Sequence, residues 1–319
     1  IMPKFLTLFF ILFLLGGCAV NRDKKDYVLT ERNLIPEGTA FDARTETIYI
    51  GSTFKRKIVQ ISNDGKVKDF IPEKYEGITS VVGIEVDPNR DVLWANTAHA
   101  NEVMPLTDPD PAKDWMTSIC SFGLKTKKLI KKYDLHVEKA FLNDLTVTAN
   151  GDVFVTETVN GHIYRINSTT DSLELFLTPV GFDFLNGITY SDEHNSLFVS
   201  SVQGVLKINL ESKAYTLLKT IDGIDAAGID GLSFYKNKLI GHQSSKVSVF
   251  HLNENGNEIV KYEVLDTGDE FDSSTTGEAG NGYYYFIVNS QIRSGIDGVH
   301  HTIKPEDSLR NVIIRRIKL

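Results

Sequence analysis

The chain has 319 residues, of which 41% are hydrophobic and 24% charged, with a formal net charge of -8 and two cysteines. This composition can bury a substantial core, which excludes wholesale disorder, and an acidic chain lacking any Lys/Arg cluster excludes a nucleic-acid groove. Cys18 and Cys120 cannot build a disulfide framework, C-x-x-C zinc spacing is absent, and the length fits one large domain or two ordinary ones.

Met2-Pro3-Lys4 precedes a run from Phe5 to Leu15 that is apolar apart from Thr7. A cationic start, a short apolar run and small residues after it describe a secretory signal, and the run is too short to span a membrane. Leu15-Gly16-Gly17-Cys18 resembles the bacterial lipoprotein signal. The resemblance implies a signal peptide over 1–17, acylation of Cys18 and a polar tether through Asp26. A chain processed in this way would be lipid-anchored at the cell envelope. Cys120 is then the only other thiol, and no intrachain disulfide is expected.

From residue 27 onward the sequence repeats with a period of about 45 residues. Each unit opens on a small turn, then runs through a short apolar strand, a second turn and a strand rich in Val, Ile, Phe or Tyr. The units begin near Pro36 (PEGTAFDARTETIYIGST), Val82 (VGIEVDPNRDVLWANTA) and Asn143 (NDLTVTANGDVFVTET). They continue near Asn186 (NGITYSDEHNSLFVSSV), Asp230 (DGLSFYKNKLIGHQ) and Thr276 (TGEAGNGYYYFIVNSQ). Period-two alternation between Asn/Asp/Gly turns predicts antiparallel strands, about four per unit, and no long helical period intervenes. The fold class is therefore all-β, a six-bladed β-propeller of four-stranded antiparallel blades spanning 27–319. Asn311–Leu319 is expected to be a strand of the last blade, with Tyr27–Leu29 as its outer strand, closing the ring.

In a propeller the first strand of every blade starts beside the central axis. The aligned starts are Glu37, Val82, Asn143, Asn186, Asp230 and Thr276. Two carboxylates, two amides and a hydroxyl would converge there. Such an all-oxygen set suits a hard divalent cation, Ca2+ better than Mg2+, and disfavours zinc. The stretch Ala100 to Asp114, rich in Pro and Asp, lengthens the second unit and reads as a specificity loop over the mouth. His99, His162 and His242 are expected at or near the rim.

The motifs PEG at 36–38, ND at 143–144, NG at 186–187 and DG at 230–231 resemble the calcium-dependent six-bladed propellers of the gluconolactonase/regucalcin family. Diisopropylfluorophosphatase and the paraoxonases are more distant relatives of that family. The resemblance implies Ca2+ held by Glu37, Asn143, Asn186 and Asp230, and hydrolysis of a lactone or related ester. It makes Asp230 the general base or nucleophile and Asp144 its supporting carboxylate. His242 is a further candidate for assisting the chemistry, and polar loops at the mouth are expected to orient substrate hydroxyls. A paraoxonase-type His ahead of the second-blade glycine is missing, because Val81-Val82-Gly83 occupies that stretch. Ser290 lies in no G-x-S-x-G elbow, which argues against a serine hydrolase. The competing reading is a non-catalytic propeller stabilised by calcium that binds a ligand or partner at the envelope. A small-molecule lactone or ester, the membrane through the lipid anchor, no nucleic acid and a monomeric state complete the expectations.

Overall fold

A computed structural model describes residues 22–106 and 108–319. The leader, Cys18 and the tether as far as residue 21 lie outside the described residues, while Lys24, Lys25 and Asp26, expected in the tether, belong to a strand. Alternating apolar side chains pair the strands into six antiparallel blades. Pro36–Asp42, Thr47–Ser52, Lys57–Ile61 and Val67–Ile71 form blade 1. Ser80–Asp87, Val92–His99, Met116–Gly123 and Leu129–Leu135 form blade 2. Blade 3 comprises Leu142–Val147, Val153–Glu157, His162–Asn167 and Ser172–Leu177. Blade 4 comprises Ile188–Ser191, Ser196–Ser201, Gly204–Asn209 and Tyr215–Leu217. Blade 5 is built of Leu232–Phe234, Lys238–His242, Lys246–Leu252 and Glu258–Thr267, with the short strand Lys219–Thr220 added in parallel outside.

Blade 6 closes the ring with strands from both ends of the chain. Gly277–Gly280, Tyr283–Ile287 and Val312–Lys318 come from the C-terminal side. Its outer strand is Lys24–Leu29, paired antiparallel with Val312–Lys318 in a register that sets Tyr27 opposite Ile314. This is the closure that the sequence predicts. Arg315 fastens it from within. Its guanidinium pairs with Asp26 at 2.7 Å, Glu270 at 2.7 Å and the buried Asp266 at 2.8 Å, tying the first strand to blades 5 and 6.

The hairpin joining first and second strands repeats its chemistry from blade to blade. Asp42 accepts a hydrogen bond from the Arg44 amide, and Asp87 accepts from those of Asn89 and Arg90. A left-handed residue follows in each hairpin, among them Glu46, Asp91, Gly151 and Asn195. Aspartate and asparagine mark these turns because their side chains satisfy the turn's own amides.

Both faces of every blade are covered by its neighbours. Six apolar clusters fill the six seams, for example Ile58, Phe70, Ile84, Leu93 and Phe122 between blades 1 and 2. Phe154, Phe176, Leu197 and Leu206 do the same between blades 3 and 4. Cys120 is buried in the first of these seams, which pushes its thiol up to about 12. A seventh cluster, Val82, Ala98, Ala100, Met104 and Phe141, packs the Ala100–Asp114 insertion onto the end of the ring. No helix among the described residues is long and apolar enough to cross a membrane.

Candidate functional site

Adjacent first strands approach so closely at the axis that backbone meets backbone. The Gly187 amide donates to the Asp230 carbonyl at 2.8 Å, and the Gly231 amide to the Thr275 carbonyl at 2.8 Å. Thr276 Oγ1 donates to the Glu37 carbonyl at 2.6 Å, and Asn96 Nδ2 to the Asn143 carbonyl at 3.1 Å. The residue after each axial position is glycine wherever a side chain would collide. A methyl group on Gly38 would lie 2.2 Å from the Val82 carbonyl oxygen, and one on Gly187 2.4 Å from that of Asp230. Blade 3 alone carries Asp144 at this phase. Its carboxylate accepts from the Leu145 amide at 2.9 Å and from the Ile188 amide of blade 4 at 3.2 Å.

Three residues beyond the axial position a second polar ring staples neighbouring blades. Glu85 accepts from the Val147 amide, Thr146 from Tyr190, Thr189 from Phe234, and Ser233 donates to the Gly277 carbonyl. Glu85, Asp144 and Glu278 face a cavity of about 20 Å3 on the axis, room for roughly one water. Burial pushes Asp144 and Glu278 up to about 7. Sequence reasoning missed Glu85 and Glu278, although Glu85 shares the phase of Thr146, Thr189 and Ser233 in the same repeat.

Above this ring the channel widens into a mouth pocket of about 290 Å3. Glu37, Asn143, Asn186 and Asp230, one from each of four blades, all line it. Each is fixed by a neighbour. Asn143 Nδ2 donates to Thr158 Oγ1 at 3.0 Å, and Thr158 in turn donates to the Leu185 carbonyl at 2.7 Å. The loop bearing Thr158 is held by the fully buried Glu157, which accepts from the Phe141, Val159 and Asn160 amides. Asn186 Nδ2 donates to Asp230 Oδ1 at 2.9 Å. With both amide nitrogens engaged, the oxygens are the atoms left to serve a ligand.

The carboxylates are poorly compensated. Glu37 is buried, and among the described residues its Oε2 has no hydrogen-bond partner. Burial raises its pKa well above the usual range, and the charges of Asp230 and Asp144 add to this, while Arg293 opposes it. Burial likewise lifts Asp230 to about 6, against the Asn186 hydrogen bond and Arg293. Among the described residues no three His, Cys, Asp or Glu side chains cluster as an ion site. The mouth supplies two carboxylates and two amides instead. That oxygen set, together with the orphaned Glu37 Oε2, fits a hard divalent cation.

None of the three histidines lines the mouth. His242, expected near the rim, is fully buried in the seam between blades 5 and 6 and does not line the mouth. Its Nδ1 meets Ser274 Oγ at 2.9 Å and its Nε2 meets Tyr284 OH at 2.8 Å. The reason is strand alternation. Its backbone pairs with Asp230 and Gly231, but its side chain points into the seam, and burial lowers its pKa to about 3. His99 is also buried, and its Nε2 accepts from the Asp110 amide at 3.0 Å, pinning the insertion. His162 is half-buried against Thr178.

The walls of the mouth are not the polar loops expected from the sequence. Val103 and Met104 of the insertion, with Trp115, Phe141, Val159, Phe184 and Ile292, line it, and Arg293 stands at its edge. Sequence reasoning missed Arg293 and most of these walls, because they sit in loops outside the repeat.

No family model matches the sequence, and no curated protein matches it. Solved structures do. A gluconolactonase from Xanthomonas campestris is 12% identical with a TM-score of 0.62, over 92% of this chain and 90% of that one. Virginiamycin B lyase from Staphylococcus aureus is 17% identical with a TM-score of 0.62, over 93% and 99%. The PQQ-bound aldose sugar dehydrogenase of Streptomyces coelicolor is 11% identical with a TM-score of 0.62, over 92% and 98%. The likeness is one of fold.

Proposed function

We propose that this chain is a Ca2+-dependent hydrolase of lactones or related esters, lipid-anchored through Cys18 at the cell envelope. The observation that carries the reading is the convergence of Glu37, Asn143, Asn186 and Asp230 on one pocket floor, with Glu37 Oε2 buried and unpartnered. These four residues would hold the cation. Bound there, Ca2+ would supply Lewis-acid polarisation of the scissile carbonyl. The gluconolactonase among the structural neighbours supports the lactone assignment, and the sugar dehydrogenase and lyase support a small-molecule site on this scaffold.

The chain's own groups do the rest. Asp230, open to the pocket and steadied by Asn186, accepts the proton of the attacking water. Beside a bound cation the carboxylate would stay ionised and so be able to take that proton. Asp144 braces blade 4 through the Ile188 amide and adds negative charge beneath Glu37. It holds the floor in shape and takes no part at the substrate. The first described residues enter at the face opposite the mouth, where Leu319 meets Gly282. An anchor at Cys18 would therefore turn the pocket away from the membrane.

Lactone and aryl-ester hydrolysis, measured with calcium and again with a chelator, tests the proposal. Turnover that stops on chelation and in Asp230→Asn is the expected result. Turnover that survives both overturns the mechanism. A calcium-dependent rise in melting temperature with no turnover on a broad panel would favour the non-catalytic propeller.

A further inference from the structure

The mouth carries more information than its floor. Sugar lactones present several hydroxyls, each needing a donor or acceptor, yet above the floor the described residues lining the pocket offer just the hydroxyls of Thr158, Ser244 and Ser273. The remaining wall is Val103, Met104, Trp115, Phe141, Phe184 and Ile292, with Val159 beside them. Phe184 is 56% exposed and sits at a φ of 53°. A bulky aromatic in the left-handed region is strained and is seldom kept without a use. Arg293 is exposed at the edge of the same pocket, and among the described residues it makes no hydrogen bond or ion pair to the protein. An apolar wall, a single exposed guanidinium and an oxygen-rich floor together describe a site for an amphipathic acyl compound.

We infer that the pocket takes esters or lactones of an aliphatic or aromatic acid with few hydroxyls, the apolar body lying against Phe184 and the insertion and the product carboxylate pairing with Arg293. This rests on the hydrolase reading of the floor. In the reaction, water adds to the acyl carbon, the acyl C–O bond breaks and the alkoxide takes a proton. The acid is left as a carboxylate, an anion that Arg293 can hold as the ring opens or the alcohol departs. The pocket volume of about 290 Å3 suits a small acyl compound.

Binding can be read without turnover. Trp115 lines the pocket while Trp94 is buried between blades 2 and 3, so intrinsic fluorescence reports occupancy and Trp115→Phe identifies the signal. The full chain, in calcium-containing buffer, is titrated with octanoate, octanamide and gluconate. Octanoate is expected to saturate the signal, octanamide to bind about tenfold more weakly, and gluconate to give no change. Arg293→Gln should bring octanoate down to the level of octanamide without changing the melting temperature, and Phe184→Ala should weaken both. Gluconate binding as tightly as octanoate, an unchanged octanoate-to-octanamide ratio in Arg293→Gln, or no binding of any probe overturns the inference. Octanoate binding without turnover of any ester would remove the hydrolase reading alone. Sugar-lactone turnover without octanoate binding would remove this one alone.

Discussion

Asn186 Nδ2 donates to Asp230 Oδ1 at 2.9 Å across the seam between blades 4 and 5. One hydrogen bond thus orients two of the four floor residues, leaving the amide oxygen for a ligand and lowering the Asp230 pKa against its burial. Asn186→Ala removes both a proposed ligand oxygen and the group that orients Asp230, so it should cost at least the roughly 10–100-fold in calcium affinity that loss of an orienting group alone brings. Isothermal titration with calcium checks this. An affinity equal to wild type would show that Asn186 does not shape the floor.

Gly187 abuts the same residue from the backbone side, since a methyl group there would lie 2.4 Å from the Asp230 carbonyl oxygen. Gly187→Ala must push blades 4 and 5 apart at the axis, and we expect a loss of about 1–3 kcal/mol together with weakened calcium binding. Gly298 provides the contrast, because a methyl group there would meet no atom within 4 Å. Gly298→Ala should change stability by less than about 0.5 kcal/mol. Denaturant melts of the two variants decide the matter.

The six-fold repeat is legible in the sequence because every blade must bury both faces, so each unit repeats the same apolar alternation. The axial residues are legible because they share one phase of that repeat. The glycines beside them look like turn residues, yet Gly38 and Gly187 are needed for close approach between blades. The place of His242 is hidden because its partners, Ser274 and Tyr284, belong to the next blade and nothing local announces them. Arg293, Trp115 and Phe184 lie in loops of irregular length, where period carries no information, so the apolar character of the mouth emerges only from the fold.

His242 makes stability depend on pH in a defined direction. Burial takes its pKa from the ordinary 6.5 to about 3, so between these values the unfolded chain binds more protons than the native one. Its contribution is complete above pH 6.5 and is lost as pH falls toward 3, by up to about 1.4 kcal/mol per pH unit. Asp144, Asp230 and Glu278 act with opposite sign, because their raised pKa values favour the native state at low pH and lose that effect as pH rises through about 6 to 7. The difference between wild type and His242→Gln isolates the histidine. It should grow with pH between 3 and 6.5 and level off above, and a difference independent of pH would show that His242 is not buried neutral.

Ring closure depends on Arg315, which faces Asp26 of the first strand, Glu270 and the 4% exposed Asp266. Arg315→Leu leaves Asp266 buried with, among the described residues, Lys24 alone to balance it. We expect a loss of about 3–5 kcal/mol, as for other broken buried ion pairs. Early protease cleavage near residue 24 should accompany it. A stable, protease-resistant variant would show that apolar packing of Tyr27 and Leu29 alone closes the ring.

Calcium titration of wild type, Glu37→Gln and Asp230→Asn by isothermal calorimetry, with lactone turnover followed in the same samples, tests the central claim most directly. One calcium site per chain is expected, lost or severely weakened in both variants, with turnover lost in parallel. Wild-type protein that binds no calcium, or variants that bind it as tightly as wild type, would contradict it.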